Sequence, residues 1–425
     1  MTTFYVIALL LCAICGAPLF IIIGGLALVL FYATGIDPQA VIIEMYRMAS
    51  SPTLVAIPLF TFTGYLLAES KSPERMVRLY RAVFGWMPGG LAIVSIIACA
   101  FFTAFTGASG VTIIALGGLL YPILTKEKYS EKFSLGLLTT GGSLGLLFPP
   151  SLPLILYALI AQVNIDALFL AGIFPGILLV FMLSVYSIRS GIKSKVERQK
   201  FNLRETLSAF MGAFWIMPLP FIVLIGIYGG FFTASEAAAV SATYVLLVQV
   251  FIYRDIKIKK DIPKIAASSM VLVGGVLIIL GCALGLTNYL VDEQIPMKIL
   301  DAMRTVITSK LMFLGVLNVF LLIVGCLMDI FSATIVVVPL IVPIAKEFGV
   351  DPIHLGIIFL TNLEIGYSTP PVGLNLFISS FRFKKPIPEL YRASLPFLGI
   401  LLVALMIITY VPDLSLWLVR FFGRM

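Results

Sequence analysis

Long apolar runs separated by short charged segments occupy almost the whole chain. A helix needs about 20 apolar residues to cross the hydrocarbon core, so the pattern predicts on the order of ten membrane elements. The first run, about Phe4 to Ala33, contains Gly16-Ala-Pro18 and Gly24-Gly25, which predict a kink or a split. Asp37 to Ser51 mixes polar and apolar positions and predicts an interfacial helix. A second span covers about Thr53 to Glu69. Ser72 then reads as the N-cap of a helix running to Trp86, with Pro73 at its first position. Arg75, Arg78 and Arg81 recur on one side, and Met76, Leu79, Tyr80 and Val83 on another. This is the pattern of an amphipathic helix on the membrane surface.

From Gly89 to Leu124 the apolar stretch is long but interrupted at Thr103-Ala-Phe-Thr-Gly-Ala-Ser-Gly110. Two halves of about 16 residues would each reach only ~24 Å. The segment therefore predicts a re-entrant hairpin that enters and leaves on one face. A first broken helix, about Phe133 to Ala161, follows, then a span returning to Arg189 and two connecting spans, about Thr206 to Tyr228 and Ser235 to Tyr253. The order then repeats: a span from Ile265 to Leu290, a surface helix from about Lys298 to Ser309, and a second hairpin from about Leu311 to Ala345 with Gly325 to Ser332 at its tip. A second broken helix ends at Arg382-Phe-Lys-Lys385, and a final span covers about Leu395 to Tyr410.

The two predicted breaks carry the most informative residues. Asn362-Leu-Glu-Ile-Gly-Tyr-Ser-Thr-Pro-Pro-Val-Gly-Leu-Asn375 places a carboxylate, two amides, two glycines and a double proline inside an apolar region. Proline removes amide donors and disfavours helix at the preceding residue. Backbone freed at membrane depth is tolerated only where it is buried in protein or lines a cavity. The same device occurs at Gly141-Gly-Ser-Leu-Gly-Leu-Leu-Phe-Pro-Pro-Ser151. A shift of 221 positions carries Pro149-Pro150 onto Pro370-Pro371, and also pairs Gly145 with Gly366, Pro122 with Pro343, Ile114 with Ile335 and Gly64 with Gly285. Paired interrupted segments in two halves point to a secondary-transporter site at the repeat interface; proline kinks without function are the plainer alternative.

Composition and charge sharpen this picture. The 425 residues are 60% hydrophobic and 12% charged, against about 25% charged in soluble domains, which describes an all-α polytopic membrane protein. The net charge of +8 belongs to basic loops rather than to nucleic-acid binding. Arg189 to Arg204, with Lys193, Lys195, Arg198 and Lys200, Arg254 to Lys264, and Arg382 to Lys385 mark the cytoplasmic side; Val291-Asp-Glu-Gln-Ile-Pro296 and Lys346-Glu-Phe-Gly-Val-Asp351 mark the other. These signs predict two inverted-topology repeats, with the N-terminus cytoplasmic and the C-terminus periplasmic. The N-terminus lacks a basic region and cleavage site, so the first run reads as a retained span. The single His354 excludes a paired-histidine mechanism, and Cys12-x-x-Cys15 reads as helix packing. No nucleophile–base pair, metal-ligand cluster or phosphate loop appears, which argues against an enzyme. The organisation divides as 1–88 scaffold and arm, 89–165 hairpin and broken helix, 166–264 connecting spans, 265–310 second scaffold span and arm, 311–385 second hairpin and broken helix, and 386–425 C-terminal span.

The phrase Asn362 to Phe377, the run Gly325-Cys-Leu-Met-Asp329 with Pro339-Leu-Ile-Val-Pro343, and Gly107-Ala-Ser-Gly110 with Gly145-Leu-Leu-Phe-Pro-Pro150 resemble the large membrane (M) subunit of tripartite ATP-independent periplasmic (TRAP) transporters. The resemblance covers essentially the whole chain. It implies the ion-transporter superfamily fold, with two re-entrant hairpins and two discontinuous helices, and an elevator mechanism in the bacterial inner membrane. It further implies sodium-coupled import of a small organic acid, sialic acid or a C4-dicarboxylate. A periplasmic binding protein (P) delivers the acid and a small membrane subunit (Q) braces the scaffold. A stand-alone carboxylate carrier of the same superfamily is the alternative. Many members have a Gly/Ser-rich first tip; Thr103 to Gly110 departs from this but keeps its hydroxyls.

On that resemblance, Na⁺ is expected at one site per repeat, held by unwound carbonyls and half-helix ends. The first set is Thr103, Thr106, Gly145, Phe148 and Pro150; the second is Gly325, Leu327, Gly366, Thr369 and Val372. The anion is expected between the hairpin tips, with Ser109, Thr112, Ser143, Ser332, Thr334, Asn362 and Asn375 as donors. Asp329 and Glu364 are intramembrane acids: Glu364 is expected to hold the break or support the second ion site, whereas Asp329 is read equally as functional or as a cap. His354 is expected to be inert.

Overall fold

A computed structural model describes residues 2–423 except 16, 51, 88, 195–201 and 305–306. Gly16 and most of the basic stretch after Arg189, including Lys195, Arg198 and Lys200, therefore lie outside the described residues. Among the described residues every regular element is helical. Among the described residues seven helices are long and apolar enough to cross a membrane, or up to nine if each of two bent pairs counts as one span.

The predicted split of the first run is present, as Thr2–Ile14 and Leu19–Ala33. Gln39–Ala49, Ala56–Glu69 and the amphipathic arm Ser72–Phe84 follow. Ser72 is not the cap of that arm. Lys71 occupies the cap position, while the Ser72 hydroxyl accepts from Gln249 Nε2 at 2.7 Å, because the arm start is buried under the 248–252 turn rather than facing water. The arm's apolar side is buried through Met76, Val77 and Leu79, and its basic side is tied down by ion pairs of Arg75 with Asp255 and Arg81 with Glu127.

The segment expected as the first hairpin is the helix pair Gly90–Thr106 and Ser109–Lys126, and the second is Lys310–Leu327 and Ile330–Glu347; all of these but Gly90–Thr106 are, against the expected arm length of about 16 residues, long and apolar enough to cross a membrane. The first broken helix runs Glu131–Gly141, a 3-10 turn Leu144–Leu147, then Leu152–Ala161, bent by 46°. The second runs Pro352–Gly366, an irregular stretch, and Leu374–Phe383. Ile165–Lys193 and Ile387–Tyr410 close the two halves. Shifting Ser109–Lys126 by 221 lands on Ile330–Glu347, and shifting Leu152–Ala161 lands within one residue of Leu374–Phe383. The repeat read from a handful of glycines and prolines therefore extends through the helical order.

Two expectations change. The span expected over about 206–228 is two helices, Leu203–Ala213 and Pro218–Tyr228, bent by 59°, since Pro218 starts a new helix where an amide donor is missing. The last span begins at Ile387, eight residues before the expected Leu395, and is followed by a short helix, Asp413–Phe421, that packs on Ile165–Lys193. The span ends at Tyr410 as expected, and the short helix after it is not part of the sequence reading.

The core joins the halves crosswise. The second arm of the first hairpin packs on the second half of the second broken helix, and the second arm of the second hairpin packs on Leu152–Ala161. Ile262–Asp292 lies against Leu19–Ala33, Gln39–Ala49 and Ala56–Glu69, forming the scaffold flank.

Candidate functional site

Each hairpin tip is a two-residue turn pressed against a helix break. In the first, Gly107 closes the arm with φ +64°, and a Cβ there would stand 2.5 Å from Leu152 Cβ. Gly145 is held still closer: a Cβ would meet Ala100 O at 2.2 Å and Ala104 N at 2.4 Å. The second repeat reproduces this approach, with Gly366 and Gly325 backbone to backbone; a Cβ on Gly366 would lie 2.5 Å from the Gly325 carbonyl carbon. Ala104 and Gly325 occupy equivalent positions under the 221 shift. The break hydrogen bonds match too. Phe148 N donates to Gly145 O at 3.0 Å, and Thr369 N donates to Gly366 O at 2.9 Å. Both Pro-Pro bonds, 149–150 and 370–371, are cis.

Ser143 and Glu364 are themselves equivalent under the shift, and they touch: the Ser143 hydroxyl donates to the Glu364 carbonyl at 3.4 Å. A residue that meets its own counterpart lies beside the axis relating the repeats. The two breaks are thus neighbours at the centre of the molecule.

The side chains divide the predicted residues into three groups. In the first repeat, Thr103 Oγ1 donates to the Gly142 carbonyl at 2.7 Å and lies 2.8 Å from the Thr112 hydroxyl; Thr106 Oγ1 is 3.5 Å from the same Thr112 oxygen. Three buried hydroxyls therefore converge beside the first break. The second group spans the repeats. Ser109 donates to Asn375 Oδ1 at 2.7 Å, and Asn375 Nδ2 donates to the Thr139 carbonyl at 3.2 Å. Thr139 also pairs with Ser379 at 2.9 Å. Sequence reasoning missed Thr139 and Ser379; each is an ordinary hydroxyl in an apolar helix and carries no local signal.

The third group is turned elsewhere. Asn362 donates to Asn318 Oδ1 at 2.7 Å and to the Ile358 carbonyl at 2.8 Å, and Asn318 reaches Thr409 at 3.1 Å. These bonds tie the second broken helix to its hairpin and the last span. His354, on the same helix, is buried with Nε2 3.3 Å from the Thr409 carbonyl. Ser332 pairs with Asp329, and Thr334 bonds back to the Ile330 carbonyl of its own helix. Asp329 accepts from Phe331 N and Ser332 N, both at 3.0 Å, and so caps the second arm of its hairpin.

Glu364 is buried beside the break, and neither carboxylate oxygen has a hydrogen-bond partner. It does not hold the break together by a hydrogen bond. Leaving a buried charge unpaired is costly, and an unpartnered acid at membrane depth is a position for function. Elsewhere the second break is the more exposed of the two: Val372 is 40% exposed and Leu327 56%, whereas the equivalent of Val372 in the first break, Ser151, is 0% exposed.

Residues 4–414 match the family model for the tripartite ATP-independent periplasmic transporter, DctM component. A C4-dicarboxylate TRAP transporter large permease protein DctM of Pseudomonas aeruginosa is 37% identical over 402 residues, covering 94% of this chain and 93% of its own length. An ectoine/5-hydroxyectoine TRAP transporter large permease protein of Ruegeria pomeroyi is 30% identical over 382 residues, covering 89% of each chain. Among solved structures, the Alcanivorax borkumensis YdaH transporter superposes with a TM-score of 0.61 at 11% identity, covering 91% of this chain and 88% of that one, which shows a shared fold.

Proposed function

The chain belongs to the DctM component family of tripartite ATP-independent periplasmic transporters, and we propose that it is the moving, ion-coupled subunit of such a system. In this reading it imports a small organic acid through the bacterial inner membrane, in company with a small membrane subunit and a periplasmic binding protein. A C4-dicarboxylate is the first substrate class to test, since that is what the 37% identical relative is named for; sialic acid is the second.

The observation that carries the reading is the matched pair of breaks, each backed by a hairpin tip at backbone contact and joined at the axis by Ser143 and Glu364. Carbonyls freed from helical bonding suit a hard cation, and half-helix ends at mid-membrane suit a small ion and an anion together. In the first repeat, Thr103, Thr106 and Thr112 add hydroxyl oxygens to the Gly145 carbonyl side. In the second, Gly325, Gly366 and Thr369 offer backbone and one hydroxyl, and Glu364, two residues from Gly366, adds a carboxyl group whose oxygens have no hydrogen-bond partner. Na⁺ entering through these sites contributes ~2.3 kcal/mol per charge for each 100 mV of membrane potential. Ser109 and Asn375 are the donors we assign to the substrate side, because they join the two repeats. Crosswise packing of hairpins on opposite broken helices makes residues 89–165 and 311–385 one body, which can slide against the scaffold as an elevator.

Uptake into proteoliposomes containing this chain and its small subunit tests the proposal, with radiolabelled succinate or sialic acid and an inward Na⁺ gradient. Uptake should require Na⁺ and the cognate binding protein, and should fall to background in Glu364→Ala and Thr369→Ala. Uptake independent of the binding protein would make the chain a stand-alone carrier. Uptake indifferent to Na⁺ would remove both ion sites.

A further inference from the structure

Away from the breaks, a cavity of about 550 Å³ opens where Glu131–Gly141 starts, Ile165–Lys193 ends and Ile387–Tyr410 starts. Its rim carries Lys132, Arg189, Lys193 and Arg392. Among the described residues none of these four cations is in an ion pair. The two nearest acids along the chain, Glu131 and Glu389, are both engaged by Lys385. The floor is apolar and aromatic: Phe133, Tyr186 and Phe397 form a closed triangle of rings with centroids 5.1–5.9 Å apart. Ser190 and Ser194 also line the cavity.

Four like charges around one cavity focus its field and raise the local concentration of anions. The anion must also suit an aromatic floor at the ends of membrane helices, on the side that the basic loops assign to the cytoplasm. Basic pockets between membrane helices on that side are suited to phospholipid headgroups. We propose that this cavity is a binding site for an anionic phospholipid, its phosphate held by Lys132, Arg189, Lys193 and Arg392 and its first acyl carbons lying over the Phe133–Tyr186–Phe397 triangle. The site is independent of the transport reading, since none of its residues belongs to the breaks or hairpin tips. It places a lipid across the junction of the first broken helix and the last span, two elements that pack closely on each other.

Native mass spectrometry of the full chain with its small subunit tests this, using phosphatidylglycerol and phosphatidylcholine as probes. Wild type should retain phosphatidylglycerol at least about tenfold better than phosphatidylcholine, since each nearby cation contributes about fivefold. Arg189→Gln, Lys193→Gln and Arg392→Gln together should cut the preference to no more than the roughly fivefold that Lys132 alone supports. A charge-matched control, Lys257→Gln with Lys259→Gln and Lys260→Gln in an exposed loop, should keep the preference. Equal loss in that control would mean diffuse charge attraction and overturn the site. An unchanged preference in the first triple variant would do so as well. Displacement of phosphatidylglycerol by millimolar inorganic phosphate would replace the lipid with a soluble anion.

Discussion

Residues 90–193 and 310–410 carry the same succession of helices, yet the two repeats stand in different surroundings. Nearly all of Gly90–Thr106 is buried, whereas its counterpart Lys310–Leu327 shows Leu311, Val316, Val319 and Ile323 to the outside. Leu152–Ala161 is mostly buried, and its counterpart Leu374–Phe383 exposes Phe377 and, at 84%, Phe381. The scaffold explains the difference. Ala56–Glu69 and the arm Ser72–Phe84 press on the first arm of the first hairpin, while Ile262–Asp292 and Ile295–Arg304 press on the second arm of the second. A single internal design is thus seen in two environments. The chemistry differs as well: Thr103, Thr106 and Thr112 correspond to Val324, Leu327 and Ala333. Three threonine hydroxyls converge beside the first break, whereas the hydroxyls at the second are those of Tyr367, which accepts from Ile330 N, and Thr369.

The sharpest way to break the comparison is at the paired glycines. Gly145→Ala and Gly366→Ala should each abolish uptake, because the new methyl meets backbone at 2.2 Å and 2.5 Å respectively. Each should also lower stability by about 1–3 kcal/mol or more, read as a falling melting temperature of the purified protein. Both glycines are buried, so equal damage would show that the close approach itself matters, and tolerance in the second repeat alone would show that its more exposed surroundings let the backbone yield.

Next in size is the hydroxyl asymmetry. Thr103→Val removes a donor to the Gly142 carbonyl and a partner of Thr112, a loss of about 1–3 kcal/mol for groups left unpaired. On the proposed coupling it should raise the Na⁺ concentration for half-maximal uptake about tenfold. Val324→Thr, the reverse change at the matching position, should leave that concentration within about twofold of wild type. A larger shift from Val324→Thr than from Thr103→Val would contradict the assignment of hydroxyls to the first site.

The cross-repeat bond comes third. Asn375→Ala strands the Ser109 hydroxyl and the Thr139 carbonyl, at about 1–3 kcal/mol. A Ser109→Ala, Asn375→Ala cycle should return a coupling near 1 kcal/mol; additivity would mean the bond holds nothing together.

The smallest effect is on access. In a background with Cys12 and Cys15 replaced, Val372→Cys should label readily with a membrane-impermeant maleimide on one side, and Ser151→Cys slowly, following exposures of 40% and 0%. On the proposed two-state movement, conditions that drive transport should narrow this ratio by raising Ser151→Cys labelling.

Much of this was legible in the chain because its causes are local. Pro149-Pro150 and Pro370-Pro371 break helices through missing amides, wherever they are placed, and the spacing of basic and acidic loops follows from the same residues that border each span. The 221 shift could be read because helix breakers are few and their identities strict. The bend at Pro218 was not legible, since apolar flanks hide an interruption when no polar cluster accompanies it, and the helix Asp413–Phe421 was not, since 9 residues are too few to show a helical period.

What only the tertiary structure decided is which partner each polar group took. Asn375 is joined to Ser109, 266 positions away, while Asn362, thirteen residues before it, is turned to Asn318 and the last span. Nothing in period or spacing distinguishes those two amides. Their roles depend on crosswise packing of one hairpin on the opposite broken helix, and on which arm the scaffold covers. The sequence by itself determined where the helices stop and that they stop twice, because stopping is a property of the backbone. Burial, pairing and the openness of one break over the other arise from contacts between distant segments, and these exist only once the chain is folded.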